Sequence, residues 1–313
     1  MRSIVGSRAS LAMSALPWIL WCGDALATEG GGSSKALGVD TVMAGVMPPP
    51  GLRLTTFLSG YEADKTLDAD GNPRRGISDF HLRVEAATLR LQYVWPGAEL
   101  WGANIESRFG GTAYVHSELS FDVQTPGGRV HREDTAEAPG DILVAPVLLG
   151  WHGESVHQIA GIEFFLGTGA FDPTALANPS RGYDAVGPAY FLTWFPNDRI
   201  EVSISSVYLY NWTNSHTNYQ SGQEINVDYG VGYHVTPALQ LGASGYLYKQ
   251  VTDDRLNGQA VAGGNRGQAL AIGPFVRWHP TDRWGVTFKW QAETSVRNRA
   301  EGNRFFLQIA LQL

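Results

Sequence analysis

The sequence predicts an all-β chain, a 12-stranded antiparallel transmembrane β-barrel of the bacterial outer membrane. Three features point to it. Residues 51–313 break into about twelve extended runs with period-2 alternation. The joints between the runs alternate, tight then long, and the tryptophans gather beside the tight ones. A closed barrel that crosses a bilayer needs this sorting, because its strands run up and down between short periplasmic turns and longer outer loops. A soluble sandwich has no reason to sort its connections in this way.

The chain opens like an export signal. Arg2 and Arg8 flank the start of a short apolar core, Ser10 to Cys22, and Ala25-Leu26-Ala27 has the small-x-small form of a cleavage site. Residues 1–27 therefore read as a cleaved signal peptide. The apolar run is too short for a membrane helix. Trp21 is too bulky to precede a lipid-attached Cys22. That cysteine is the only one, so the mature chain holds no disulfide and no thiol chemistry. Loss of Arg2, Arg8 and Asp24 moves the formal charge from −7 to about −8. No basic stripe is left for nucleic acid.

Residues 28–50 form a Gly/Pro-rich segment. Its second half, ending in Met47-Pro48-Pro49-Pro50-Gly51, is too proline-rich for a ladder. A plug in the lumen, a segment at the periplasmic mouth and a plain linker all fit that composition. The barrel itself is assigned to 51–313. Tight joints are expected at Trp95-Pro96-Gly97, Gly153-Glu154, Pro196-Asn197-Asp198, Val235-Thr236-Pro237 and Pro280-Thr281-Asp282. Long polar joints are expected at 124–140, 169–184, 213–222 and 252–267.

Among the strands, 224–235 is the clearest. Ile225, Val227, Tyr229, Val231, Tyr233 and Val235 share one face, and Glu224, Asn226, Asp228, Gly230, Gly232 and His234 share the other. In a bilayer the first face meets lipid and the second lines the lumen. Segments 199–212, 283–295 and 303–313 repeat the scheme, while 141–152 and 185–195 are apolar on both faces. A wholly water-filled pore has no need of such segments, so they point to a lumen that is partly greasy or plugged. Residues 98–123 keep one phase at odd positions from Trp101 to Val123 and read as one long strand kinked at Gly110-Gly111. Splitting it would give thirteen strands, an odd count that single-chain bacterial barrels avoid.

Six tryptophans, Trp95, Trp101, Trp151, Trp194, Trp278 and Trp284, lie within a few residues of a tight joint. Indole rings collect where acyl chains meet head groups, because the ring is apolar and its N–H is not. Tyr208, Tyr210 and Trp212 are candidates for the opposite girdle.

The sequence carries no catalytic signature. It has no phosphate-binding loop and no His pair at metal-site spacing. Ser244 lacks the strand-to-helix turn of a nucleophile elbow. An outer-membrane esterase or lipase is therefore the weakest of the readings. No cofactor is expected. The functional candidates are polar groups whose phase points inward: Glu163, Glu201, Glu224, Asn226, Asp228, Arg277, Lys289, Gln291 and Glu293, together with Glu106, Arg108, Glu118 and Asp122. Mixed charges across a lumen either select solutes or pair with one another and fill it.

Several stretches resemble one family of outer-membrane proteins labelled as involved in the meta-pathway of phenol degradation. They are Met47–Gly51, Gly140–Pro146, Tyr219–Glu224, Asp228–Tyr233, Gln250–Asp254, Gly273-Pro274 and Arg297–Gly302. The resemblance implies an outer-membrane barrel and a small, hydrophobic or aromatic solute. The partners expected are outer-membrane lipid, the barrel-assembly machinery and that solute. The topology gathers Tyr219, Gln220, Gln250, Asp253, Asp254, Arg297, Arg299 and Glu301 at the extracellular rim, with Arg297 and Arg299 expected to pair with Asp253, Asp254 and Glu301. Passive uptake through such a barrel is the leading reading; a non-conducting structural or surface-interaction barrel is the alternative.

Overall fold

The computed structural model describes residues 31–313. The signal peptide expected at 1–27 lies outside the described residues. The strands are β1 (Gly51–Thr66), β2 (Ile77–Leu100), β3 (Ala103–Thr125), β4 (Gly128–Ala138), β5 (Ile142–His152), β6 (Val156–Leu166), β7 (Ala185–Asn197) and β8 (Ile200–Asn211). They continue with β9 (Tyr219–Gln220), β10 (Glu224–Thr236), β11 (Leu239–Gln250), β12 (Arg255–Leu256), β13 (Gln259–Ala260), β14 (Gln268–Thr281), β15 (Trp284–Arg297) and β16 (Ala300–Gln312).

Twelve of these form a closed antiparallel ring, β1-β2-β3-β5-β6-β7-β8-β10-β11-β14-β15-β16, and β16 pairs back onto β1 from Arg53↔Gln312 to Thr66↔Ala300. Closure leaves no unpaired sheet edge for lipid to face, which is the condition for strands to cross a bilayer. The outward side chains fit the same solvent. Leu58, Leu91, Phe109, Ile162, Val231, Ile272 and Phe288 are all exposed large apolar residues. On β10 the alternation is complete, with Glu224, Asn226 and Asp228 buried and Ile225, Val231 and Tyr233 exposed.

The first three strands are longer than a bilayer requires. β2 has 24 residues, roughly 80 Å at about 3.3 Å per residue, where about 9–11 residues suffice to span. β3 pairs with β5 over Asn104–Gly111 and with β4 over Val115–Thr125. Its upper half and β4 thus make a hairpin that rises past the ring. Here the joint expected as a loop at 124–140 is instead paired backbone, turning at Pro126-Gly127. Its many charged residues suit an exposed hairpin as well as they suit a loop, and composition does not separate the two.

Two further readings need correction. The turn after β2 is Trp101-Gly102, both left-handed at φ 54° and 74°, and not Trp95-Pro96-Gly97. The Pro-Gly pair makes a register shift within β2, between Val94 and Glu99; a proline is tolerated at a bulge, where no ladder donor is needed. The stretch 98–123, expected as one strand, is divided by the Trp101-Gly102 turn: 98–100 end β2, and 103–123 lie in β3, which does not keep a single phase. Ala113 is an extra residue between the pairs Thr88↔Thr112 and Ala87↔Tyr114. A bulge of one residue swaps the faces. Phe109 is exposed below it, while Val115 and Leu119 are buried above it.

Tryptophans mark the short-turn end. Trp95, Trp101, Trp194 and Trp278 are exposed, and Trp278 stacks edge-on against Trp284 at 5.1 Å. Tyr208, Tyr210 and Trp212 are exposed near the long-loop end.

Candidate functional site

The lumen is filled by the chain's own beginning. Residues 31–50 form a strap that runs from the long-loop end, where Gly31 lies against Arg299, to the short-turn end, where Met47 lies against Gly150. It carries few regular backbone bonds of its own, because its Gly and Pro content forbids a ladder, so its polar groups are met by inward side chains of the ring. Gly230 is a point of close approach between the two. A Cβ there would stand 2.2 Å from the Thr41 carbonyl oxygen.

Asp228 is the central anchor. Its carboxylate accepts from Lys35 Nζ at 2.8 Å, from the Gly38 N–H at 2.8 Å and from the Asp40 N–H at 3.0 Å. Lys289 meets the opposite side of the strap, donating to Gly38 O at 2.9 Å, Val39 O at 2.6 Å and Thr41 Oγ1 at 3.3 Å. Gln291 donates to Gly38 O and to Ser244 Oγ. Glu201 accepts from the Met43 N–H at 2.6 Å, and from Ser203 and Gln240. Glu224 accepts from Ser33 Oγ at 2.6 Å and from Asn211 and Asn226. Glu163 pairs with Arg108, which also holds Glu106. Glu293 accepts from Tyr61 and Tyr246 and from the Gly302 N–H. Arg277 faces a cavity and makes no such bond to the strap.

Glu118 and Asp122 do not point inward. They lie above the Ala113 bulge, on the outer face of the β2–β3–β4 hairpin, where Glu118 sits opposite Arg83 and Asp122 binds Arg129 and His131. The sequence signal for this would be one extra residue in the alternation, Ala113, hidden because the apolar residues keep odd numbers on both sides.

At the long-loop end, β9, β12 and β13 form a three-stranded cap in which Tyr219 and Gln220 pair with Leu256 and Arg255. Asp254 ties it down, accepting from the Tyr219 hydroxyl, the Gly222 N–H and Gln250 Nε2. The expected pairing with the two arginines does not form. Asp253 pairs with Arg266, Glu301 with Lys65, and Arg299 turns inward to Glu293, with its guanidinium over the Tyr248 ring at 4.6 Å. Arg297 stays outside, opposite Gln268 in the ladder. The two segments do share one end, since Asn298 Nδ2 donates to Arg266 O.

Beside the strap, among the described residues, lie two cavities that bear on a route through the barrel. One of about 290 Å³ opens toward the long loops and is walled by Tyr61, Val84, Val115, Phe165, Arg181 and Arg304, among others. The second, of about 560 Å³, lies toward the short turns and is walled by Arg53, Phe57, Phe195, Arg277, His279 and Trp284, among others. Asp40 and Arg90 are the two residues common to both walls. Arg90 Nη1 donates to Asp40 Oδ1 at 2.6 Å. This ion pair between strap and ring therefore lies where the two cavities meet, and Lys35 Nζ stands 3.6 Å from the same Asp40 carboxylate. In the sequence Arg90 is one polar residue in a strand and Asp40 one acid in a loose segment; nothing in their spacing joins them.

Comparison with known proteins agrees with this architecture. A family model described as "Putative MetA-pathway of phenol degradation" matches residues 63–309. No curated protein sequence matches the chain. Among solved structures, the COG4313 outer membrane channel from Pseudomonas putida F1 superposes with a TM-score of 0.72 at 14% identity, covering 87% of this chain and 99% of that one. Looser likenesses run to the transport unit of the autotransporter AIDA-I from Escherichia coli (TM-score 0.44, 8% identity, 84% and 90% covered). Another is the translocator domain of NalP from Neisseria meningitidis (0.41, 9%, 86% and 91%).

Proposed function

This chain belongs to the phenol meta-pathway family of outer-membrane barrels, and on that footing we propose that it is a channel for passive uptake of small hydrophobic or aromatic compounds across the outer membrane. The observation that carries the reading is the pair of cavities set end to end along β1 and β2, with Asp40 and Arg90 in the walls of both. A barrel that served only as a wall would gain stability by filling that space, since voids forfeit packing contacts. When the pair parts, the outer cavity joins the inner one and a solute crosses without passing the tightly held Asp228–Lys289 section of the strap. The apolar walls of the upper cavity, Val84, Val115 and Phe165, suit an apolar solute. The Pseudomonas putida protein of like fold is an outer membrane channel, which supports conduction here. The solute class rests on the cavity walls and on the family.

One observation favours the alternative, a non-conducting barrel. The strap is bonded along its length to buried groups of β8, β10 and β15. The two readings separate in vesicles with a lipopolysaccharide outer leaflet. Uptake of benzyl alcohol faster than in protein-free vesicles, with no uptake of a disaccharide of the same charge, supports the channel. Equal rates with and without protein rule it out. Ester hydrolysis by the folded protein would replace both readings.

A further inference from the structure

We propose that the inner cavity is a binding site for a small aromatic carboxylate, which deepens the channel reading and rests on it for the route by which the solute arrives. Four arginines line this cavity, and two of them are already used. Arg90 holds Asp40, and Arg108 holds Glu106 and Glu163. Arg53 on β1 and Arg277 on β14 are different. Both wall the cavity, and among the described residues neither has an ion pair or a side-chain hydrogen bond. The carboxylates nearby are engaged elsewhere or stand apart. Glu106 takes Arg108 and Gln92, and Glu201 takes the Met43 N–H, Ser203 and Gln240. Asp282 is exposed in the turn at the cavity mouth. Two uncommitted guanidinium groups facing one partly enclosed space are uncommon, because a buried or half-buried cation is normally paired.

The histidines add donors. His234 and His279 lie at 6.1 Å with their rings edge to face, and His279 Nε2 is a buried polar atom without a partner. The wall is mixed: Thr55, Gln92, Thr287 and Gln308 line it beside the apolar Met43, Phe195 and Trp284. A planar guanidinium matches a carboxylate through two parallel N–H···O bonds, and aromatic walls favour a ring through offset or edge contacts. The volume, about 560 Å³, falls in the range of small-molecule sites, roughly 300–1,000 Å³. An aromatic acid supplies both halves. A neutral hydrocarbon leaves the two arginines unpaired, and a small inorganic anion leaves the apolar part of the wall empty.

Calorimetric titration of the folded full chain in detergent micelles tests this with three probes: benzoate, its neutral counterpart benzyl alcohol, and acetate. Benzoate is expected to bind saturably, at least about tenfold more tightly than either of the others. The double variant Arg53→Gln/Arg277→Gln, with folding checked by heat-modifiable migration, is expected to lose that advantage and keep the benzyl alcohol affinity. If the variant does not fold, salt decides with the unaltered protein. Benzoate binding is then expected to weaken with ionic strength while benzyl alcohol binding holds. Equal affinity for benzoate and benzyl alcohol, or a benzoate affinity indifferent to both the substitutions and salt, overturns the assignment. Saturable benzoate binding without flux in vesicles would remove the channel reading and leave the site; flux without benzoate preference would do the reverse.

Discussion

Lys35 Nζ lies 2.8 Å from Asp228 Oδ2, with both side chains buried in the middle of the barrel. The same carboxylate holds two strap N–H groups, of Gly38 and Asp40, so one inward residue of β10 fixes the strap through three donors. Removing one member of a buried pair typically costs about 3–5 kcal/mol. That cost falls on the docking of the strap. The ring closes through its own ladders. Asp228→Ala is therefore expected to leave a folded, heat-modifiable barrel whose residues 31–50 become open to protease. A strap still protected in that variant would show that Asp228 is not its anchor.

Gly230 offers an independent route to the same outcome. Its missing Cβ is the space that the Thr41 carbonyl fills, and the contact is with backbone, which has little room to yield. Gly230→Val is expected to expel the strap as Asp228→Ala does. Because both act on one docking event, their effects on strap protection should fall short of additive in the double variant. Full additivity would mean that two separate events are being measured.

The lipid face is tested on the same strand. Val231 is 53% exposed and its neighbour Gly230 points inward. An arginine on a lipid-facing position costs about 2–4 kcal/mol near the bilayer midplane. Val231→Arg should lower stability by that order in urea titrations performed in lipid bilayers. Thr135→Arg, at an exposed position of β4 in the hairpin above the ring, should change it by no more than about 0.5 kcal/mol. A cost near zero at Val231 would place it outside the hydrocarbon.

The loop at 167–184 docks on the outer hairpin through Asp134, whose carboxylate accepts the N–H groups of Ala177 and Leu176 at 3.0 and 2.8 Å. These backbone donors, Ala177 first, hold its carboxyl below the usual carboxylate range against the opposing effect of desolvation. A depressed value means that the contact contributes fully above the ordinary aspartate value, about 3.9, and fades as pH falls through the lower folded value. The protection of the Leu176 and Ala177 amides, measured as exchange relative to the unstructured rate at each pH, is expected to be high at neutral pH and to be lost only below about pH 4. Asp134→Ala should lack that protection throughout. A transition above the ordinary histidine value, about 6.5, would point to His131 instead, whose hydrogen bond to Asp122 raises it.

Much of the ring is legible in the sequence because each wall residue has only two environments, lipid or lumen, and the pleat writes them alternately. Val231 and Asp228 follow from that rule alone. The failures have specific causes. Pro96-Gly97 carries turn chemistry but sits in a bulge, because the strand pairing on both sides continues through it. Ala113 inverts the faces above it, which puts Glu118 and Asp122 on the outer side. The rim arginines lie at the expected end, yet Arg299 turns inward to Glu293 and Tyr248, a choice made by burial among aromatic rings and invisible in spacing. The strap has no periodicity to read, since its bonds go to side chains far along the chain, as from Thr41 to Lys289.

Asp40 and Arg90 form an ion pair and line both cavities. Single-channel recording of the folded protein in planar bilayers is the decisive measurement, comparing the unaltered chain with Asp40→Asn, which removes the charge and keeps the volume. The unaltered chain is expected to show a small, frequently closed conductance. Asp40→Asn is expected to show a larger or longer-lived open level, with the Asp228 and Lys289 anchors still protecting the rest of the strap from protease. Identical conductance in the two proteins, with the strap in place in both, would mean that the ion pair does not close one cavity from the other.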